Sequence, residues 1–238
     1  DPYGFTATGL GASIVFAADD GTTGVELWKS DGTTAGTVRV ADINGGNNGA
    51  ASSNPNNFIY VPMQGGMVIF SANDGTNGTE LWKYDGTNAS LLKDINPNAG
   101  SSSPSQMTLS GNTLFFNAFA PNTGNQLYKS DGTAAGTVLV STNQAANMNP
   151  RYMAAKPGSG VYFSGTVQLG GELYTSDGTA GGTVAVAVPA GWALDTIQVV
   201  PVLAANGTFF LSGRTHRNQA ALGVELWKIA PPRGAQGP

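Results

Sequence analysis

Short apolar runs alternate with stretches of Gly, Asn, Asp, Ser and Thr along the whole chain. No helix-length stretch free of Gly and Pro shows helical periodicity, so the pattern predicts strands throughout. The strongest runs are SIVFAA from Ser13, MVIFSA from Met67, TLFFNA from Thr113, GVYFSG from Gly160 and TFFLSG from Thr208. Consecutive Phe, Val and Ile make both faces of these strands apolar, as in a sheet covered on both sides.

Downstream of every run lies a second column: VELWKSDGTTAGTVRV at Val25–Val40, TELWKYDGTNASLL at Thr79–Leu92, NQLYKSDGTAAGTVLV at Asn125–Val140, GELYTSDGTAGGTVAV at Gly171–Val186 and VELWKIAPP at Val224–Pro232. Its first polar anchors, Glu26, Glu80, Gln126, Glu172 and Glu225, stand 54, 46, 46 and 53 residues apart. That period is slightly above the roughly 40–45 residues of a WD40 blade. The apolar run predicts a second strand, the ELW segment a third, and the TVRV-type segment a fourth beyond an Asp-Gly-Thr turn. Weaker stretches at Phe5–Thr8, Phe58–Val61, Gln106–Leu109, Tyr152–Ala155 and Ile197–Val200 predict an innermost strand for each unit.

The expectation is an all-β chain, a β-propeller of five repeats with about four antiparallel strands per blade. The repeats run approximately over 3–43, 57–95, 106–142, 152–188 and 197–230 of a single domain, 1–230, with 231–238 as a tail or linker. The fifth copy has neither the Asp-Gly-Thr turn nor a fourth strand. Its blade is expected to be incomplete, because the chain is a piece of a longer one or because a partner completes the sheet. A bare sheet edge invites pairing.

Composition narrows the function classes. Charged residues are 11% of the 238, the net charge is -4 and the sequence pI is about 4.8, which argues against nucleic acid and anionic membranes as partners. There is no cysteine, so no disulfide or thiolate metal site. The longest apolar stretch, Trp192 to Phe210, is interrupted by Asp195, Gln198, Pro201 and Asn206 and cannot span a bilayer as a helix. The start at Asp1, without a leader, is the start expected of a mature secreted product or a trimmed fragment.

The residues ELWKSDGTTAGT, followed by VADINGG and SSNP, and again ELWKYDGT, LLKDINPNAG and SSSPSQM, resemble the bacterial ELWxxDGT repeat family. The resemblance covers nearly all of Ile14 to Lys228. It implies a secreted or surface-attached bacterial protein of propeller-like repeats, and it brings no catalytic residues. Copies three and four depart from it with Tyr128 and Tyr174 in the Trp column and Gln126 in the Glu column.

Most of the chemistry-bearing residues also have a plain structural role. Asp31, Asp85, Asp131 and Asp177 suit turn-capping, with Gly supplying positive φ. No Asp-x-Asp-x-Asp run exists, but Asp19, Asp20 and Glu26, or Asp74 with Glu80, are weak candidates for an irregular calcium site, and no cofactor other than Ca2+ is expected. The column Trp28, Trp82, Tyr128, Tyr174 and Trp227 suits packing between blades, with sugar stacking as the competing role. Trp192, outside that column, is the candidate ligand or partner contact. His216, flanked by Arg214 and Arg217 in an insertion of the last copy, is a second. Only Asp195 stands outside the repeat columns, turns and terminus as a catalytic carboxylate, so enzyme activity is not expected. The three Asn-x-Ser/Thr tripeptides, at Asn77, Asn88 and Asn206, are read as coincidental. The leading expectation is a non-enzymatic, secreted or cell-surface module that binds a protein partner within a larger assembly. A carbohydrate-binding propeller is the alternative, and a hydrolase the third class.

Overall fold

The computed structural model describes residues 1–46, 51–140, 147–156, 158–167, 170–186, 192–203, 209–217 and 220–229, with side chains described among those up to 165 and over 173–186. It is all-β: four four-stranded antiparallel sheets and a fifth with three described strands, each a meander in chain order. The first sheet is β1 (Tyr3–Ala7), β2 (Ile14–Asp19), β3 (Val25–Ser30) and β4 (Val38–Ala41). The second is β5 (Asn56–Val61), β6 (Met67–Asn73), β7 (Thr79–Tyr84) and β8 (Ala89–Lys93). The third is β9 (Ser105–Ser110), β10 (Thr113–Ala120), β11 (Gly124–Ser130) and β12 (Val138–Leu139). The fourth is β13 (Arg151–Ala155), β14 (Val161–Val167), β15 (Gly170–Ser176) and β16 (Val184–Ala185). The last is β17 (Trp192–Leu203), β18 (Phe209–Arg217) and β19 (Ala220–Ile229).

The first strands β1, β5, β9, β13 and β17 lie side by side in that order, so successive sheets pack face to face around a common line. The doubly apolar second strands explain this stacking. Val68 and Phe70 of β6 join the core shared with the first sheet, while Ile69 between them joins the core shared with the third. The ELW segment divides in the same way: Trp82 faces back to the first sheet and Leu81 forward to the third. Tyr128 and Leu127 repeat the division one sheet later. β6, β7 and β11 thus have two buried faces, and the second and third sheets bind their two neighbours through different residues.

The first strands of the first four sheets are bulged against their second strands, with register shifts at Tyr3/Thr6, Asn56/Ile59, Phe115/Asn117 and Arg151/Ala154. At the bulge Gly4, Asn57, Gln106 and Tyr152 occupy the left-handed region, with φ of 71°, 55°, 56° and 51°. These residues tie one first strand to the next. Asn57 Nδ2 donates to the Pro104 carbonyl at 3.1 Å, and the Tyr152 amide donates to Gln106 Oε1 at 2.8 Å. A Cβ on Gly4 would stand 2.6 Å from the Phe58 ring.

The last sheet corrects two expectations. Its first strand is not limited to Ile197–Val200 but spans Trp192–Leu203, so Trp192 starts a strand rather than lying in a connection. Arg214, His216 and Arg217 belong to β18 rather than to a loop insertion. Arg217 pairs with Ala220, so all three residues lie in the paired part of β18.

Candidate functional site

The repeat's glutamate is a clamp. Glu26 and Glu80 are fully buried. Glu26 accepts from the Ile43 amide at 2.8 Å, the Ser53 amide at 2.9 Å and the Ser53 hydroxyl at 2.6 Å. Glu80 accepts from the amides of Ile95 and Ser102 at 2.8 and 2.7 Å and from the Ser102 hydroxyl at 2.6 Å. The carboxylate therefore fastens both ends of the crossover that leads to the next sheet. Around it Asn44 Nδ2 donates to the Ser52 carbonyl and Ser52 Oγ accepts from the Val25 amide, with Asn96, Ser101 and Thr79 repeating the set. The Asp-Ile-Asn and Ser-Ser segments that recur in the sequence are the partners of the glutamate.

The Asp-Gly-Thr turns are equally self-contained. Asp31 Oδ1 accepts from the Thr33 amide and hydroxyl at 2.9 and 2.7 Å, and Thr33 Oγ1 accepts from the Gly36 amide at 2.9 Å. Asp131 and Asp177 do the same with Thr133 and Thr179. A Cβ on Gly36, Gly136 or Gly182 would sit within 2.1 Å of that carboxylate, so the second glycine of SDGTxxGT is a packing requirement. Asp85, in the shorter turn of the second sheet, accepts from the amides of Thr87 and Asn88.

These bonds set a pH dependence. Hydrogen bonds from the threonine side chains hold Asp31, Asp131 and Asp177 below their ordinary values, and backbone amides do so for Asp85. Burial pushes Glu26 and Glu80 the other way, against the bonds from Ser53 and Ser102. A depressed carboxyl stabilises the fold above its unfolded value of about 4 and loses that contribution as pH falls through its folded value. A raised one contributes at low pH and loses its contribution as pH rises through the window above its ordinary value. Thermal melts at about pH 6 and about pH 3 are expected to show a fall in Tm that is smaller in Asp131→Asn than in the wild type. An equally steep fall in the variant would contradict the assignment.

The predicted calcium ligands do not converge. Among the described residues no group of three or more carboxylates or histidines is placed to hold a metal ion. Asp19 caps the Gly21 amide, Asp20 caps Thr22 and Thr23, Asp74 caps Thr76 and Asn77, and both glutamates are spent on the crossovers. The aromatic column is mostly enclosed: Trp82, Tyr128 and Tyr174 are buried against the preceding sheet and present no face to a sugar. Trp192 pairs with Arg217, Ala193 with His216 and Asp195 with Arg214 along β17 and β18. Their side chains, like that of Trp227, lie outside the described residues.

Two surfaces stand out among the described residues. The first is the back of the first sheet. Phe5, Ile14, Phe16 and Trp28 occupy the places of Phe58, Val68, Phe70 and Trp82 in the second sheet, and Phe5 stacks on Phe16 at 5.4 Å as Phe58 does on Phe70 at 5.6 Å. Yet Phe5 is 58% exposed and Ile14 36%, whereas their counterparts Phe58 and Val68 are half-buried and fully buried; Phe16, like Phe70, is buried. The second is a cavity of about 430 Å³ at the turn end of the junction between the first two sheets, lined by Thr8, Leu10, Ser13, Lys29, Asp31 and Tyr84 among others.

No family model matches the chain, and neither does any curated protein. Solved structures do match. A puromycin hydrolase superposes over 96% of this chain at 11% identity with a TM-score of 0.56, and TolB from Acinetobacter baumannii over 92% at 9% identity with 0.52. A putative TolB from Agrobacterium tumefaciens matches over 96% at 11% identity with 0.51. The fold is propeller-like. At these identities the likeness extends to the fold alone, and the chain spans only 35% and 52% of the first two structures and 81% of the third. No helix among the described residues is long and apolar enough to cross a membrane.

Proposed function

We propose that this propeller-like chain is a non-enzymatic, extracytoplasmic interaction module of a larger assembly, docking through the back face of its first sheet. The observation that carries the reading is the exposure of Phe5 and Ile14 at positions that are buried or half-buried in the sheets that follow. The second sheet receives Val15 and Leu27, with Val40 and Ile43, from the first. The occupant complementary to Phe5, Ile14 and the half-buried Trp28 is therefore a sheet of this same repeat type, presenting Val, Leu and Ile. In a purified sample a second copy supplies it. The apolar area gained per residue supports association, at roughly 25 cal/mol per Å² removed from water.

Sedimentation velocity over a concentration series reaching about 100 μM is expected to show self-association, lost in Phe5→Asp and Ile14→Asp. Melting curves should show that both variants remain folded, since the two side chains are already exposed. A wild type that stays a lone monomer throughout the series would rule the reading out.

A further inference from the structure

The cavity between the first two sheets goes beyond that reading and stands on different residues. At the junction of the third and fourth sheets the lysine of the ELWKSDGT column is spent on the neighbouring turn, with Lys129 Nζ donating to the Gly178 carbonyl at 2.8 Å. At the first junction the equivalent carbonyl, that of Gly86, is taken by the Tyr84 hydroxyl at 2.6 Å. Tyr84 stands where the other described turns carry Ser30, Ser130 and Ser176. Lys29, facing a turn whose Gly86 carbonyl is already taken, has an ammonium with no hydrogen-bond partner among the described residues and borders the cavity.

The rest of the lining has a definite chemical character. Asp31 uses Oδ1 on Thr33 and keeps Oδ2 for another donor. Thr8 Oγ1 lies 3.2 Å from the Ser13 carbonyl and 2.9 Å from Ser13 Oγ, so the two hydroxyls share one bond and leave lone-pair acceptor capacity at the cavity wall. Leu10 and the exposed Val38 give an apolar wall. The site thus offers one cation, one anion, hydroxyl acceptors and a hydrophobic side, with no net charge. An anionic ligand meets Asp31 and a cationic one meets Lys29. A polyol whose hydroxyls accept from Lys29 and donate to Asp31, with its C–H face on Leu10, satisfies all three, and the volume is in the roughly 300–1,000 Å³ range of small-ligand sites.

We propose that this cavity is a binding site for a neutral saccharide unit, held by Lys29 and Asp31. Saturation-transfer NMR on the intact chain with glucose, galactose, mannose and N-acetylglucosamine is the test, with inorganic phosphate and glycine as an anionic and a zwitterionic counter-probe. At least one sugar is expected to bind, and Lys29→Met is expected to weaken it by about tenfold or more, the worth of one hydrogen bond to a charged group. Lys129→Met, whose ammonium is engaged elsewhere, should leave binding unchanged. Ala35→Trp, at an exposed lining position, should block it without touching Lys29. The proposal is overturned if no sugar binds at about 10 mM, if Lys29→Met and Ala35→Trp bind as the wild type does, or if phosphate or glycine binds in place of sugar.

Discussion

Replacing Glu80 by Ala is expected to lower stability by about 3–5 kcal/mol, one of the largest losses that any single substitution in this chain should cause. The carboxylate is the shared acceptor of three donors, the amides of Ile95 and Ser102 and the Ser102 hydroxyl, at a position closed to water. Each donor left without a partner costs about 1–3 kcal/mol, partly recovered where the crossover can relax toward solvent. For a domain of this size that corresponds to a drop in Tm of roughly 10 °C, measurable by thermal circular dichroism. Glu80→Gln keeps one acceptor oxygen but aims an NH2 group at backbone donors, and should fall between the two. Ser102→Ala removes only one bond, about 1 kcal/mol on its own, and should add little once Glu80 is gone. A loss below about 1 kcal/mol in Glu80→Ala would show that the crossover is held by something else.

The blades were legible in the sequence because their second and third strands are used twice. A run such as Met67–Ala72 needs both faces buried, and only sheets stacked on either side provide that, so repeat number, strand order and turn placement all followed from one pattern. The role of the glutamate was harder to read. Its partners lie 17 and 27 residues away for Glu26, across a crossover that has no periodicity of its own. The left-handed bulge was missed because its four positions carry Gly4, Asn57, Gln106 and Tyr152, four unrelated side chains. A signal was nevertheless present: Pro2, Pro55, Pro104 and Pro150 each stand two residues before the bulge, and Phe5, Phe58, Met107 and Met153 one residue after it. A missing strand, as at the fifth copy, shows in a sequence. An unpaired sheet face does not, since Phe5 and Ile14 look the same whether covered or bare.

The third copy provides an internal test of the clamp, because two of its parts have changed together. Gln126 stands in the glutamate column, and Met148 stands where the crossovers before the second and third sheets carry Ser53 and Ser102. Each of these residues precedes a left-handed residue and a proline: Asn54-Pro55, Ser103-Pro104 and Asn149-Pro150. Without the serine hydroxyl a buried carboxylate loses its shortest bond, and the neutral amide avoids the desolvation. Gln126 Nε2 donates instead to the Thr123 carbonyl at 2.7 Å, and Met148 is buried in the core between the third and fourth sheets. Gln126→Glu alone is therefore expected to cost about 3–5 kcal/mol at neutral pH, since it sets a carboxylate oxygen against that carbonyl. Met148→Ser alone should cost about 2–4 kcal/mol through lost packing. Combined, the two should be less damaging than their sum by about 1–3 kcal/mol, because the new hydroxyl serves the new carboxylate. Burial raises the carboxyl introduced at position 126, so its penalty should grow as pH rises through the window above the ordinary glutamate value and shrink as pH falls. Urea unfolding of the four proteins at two pH values measures both effects. Strict additivity at neutral pH would mean that the paired change is not a rewiring of the clamp.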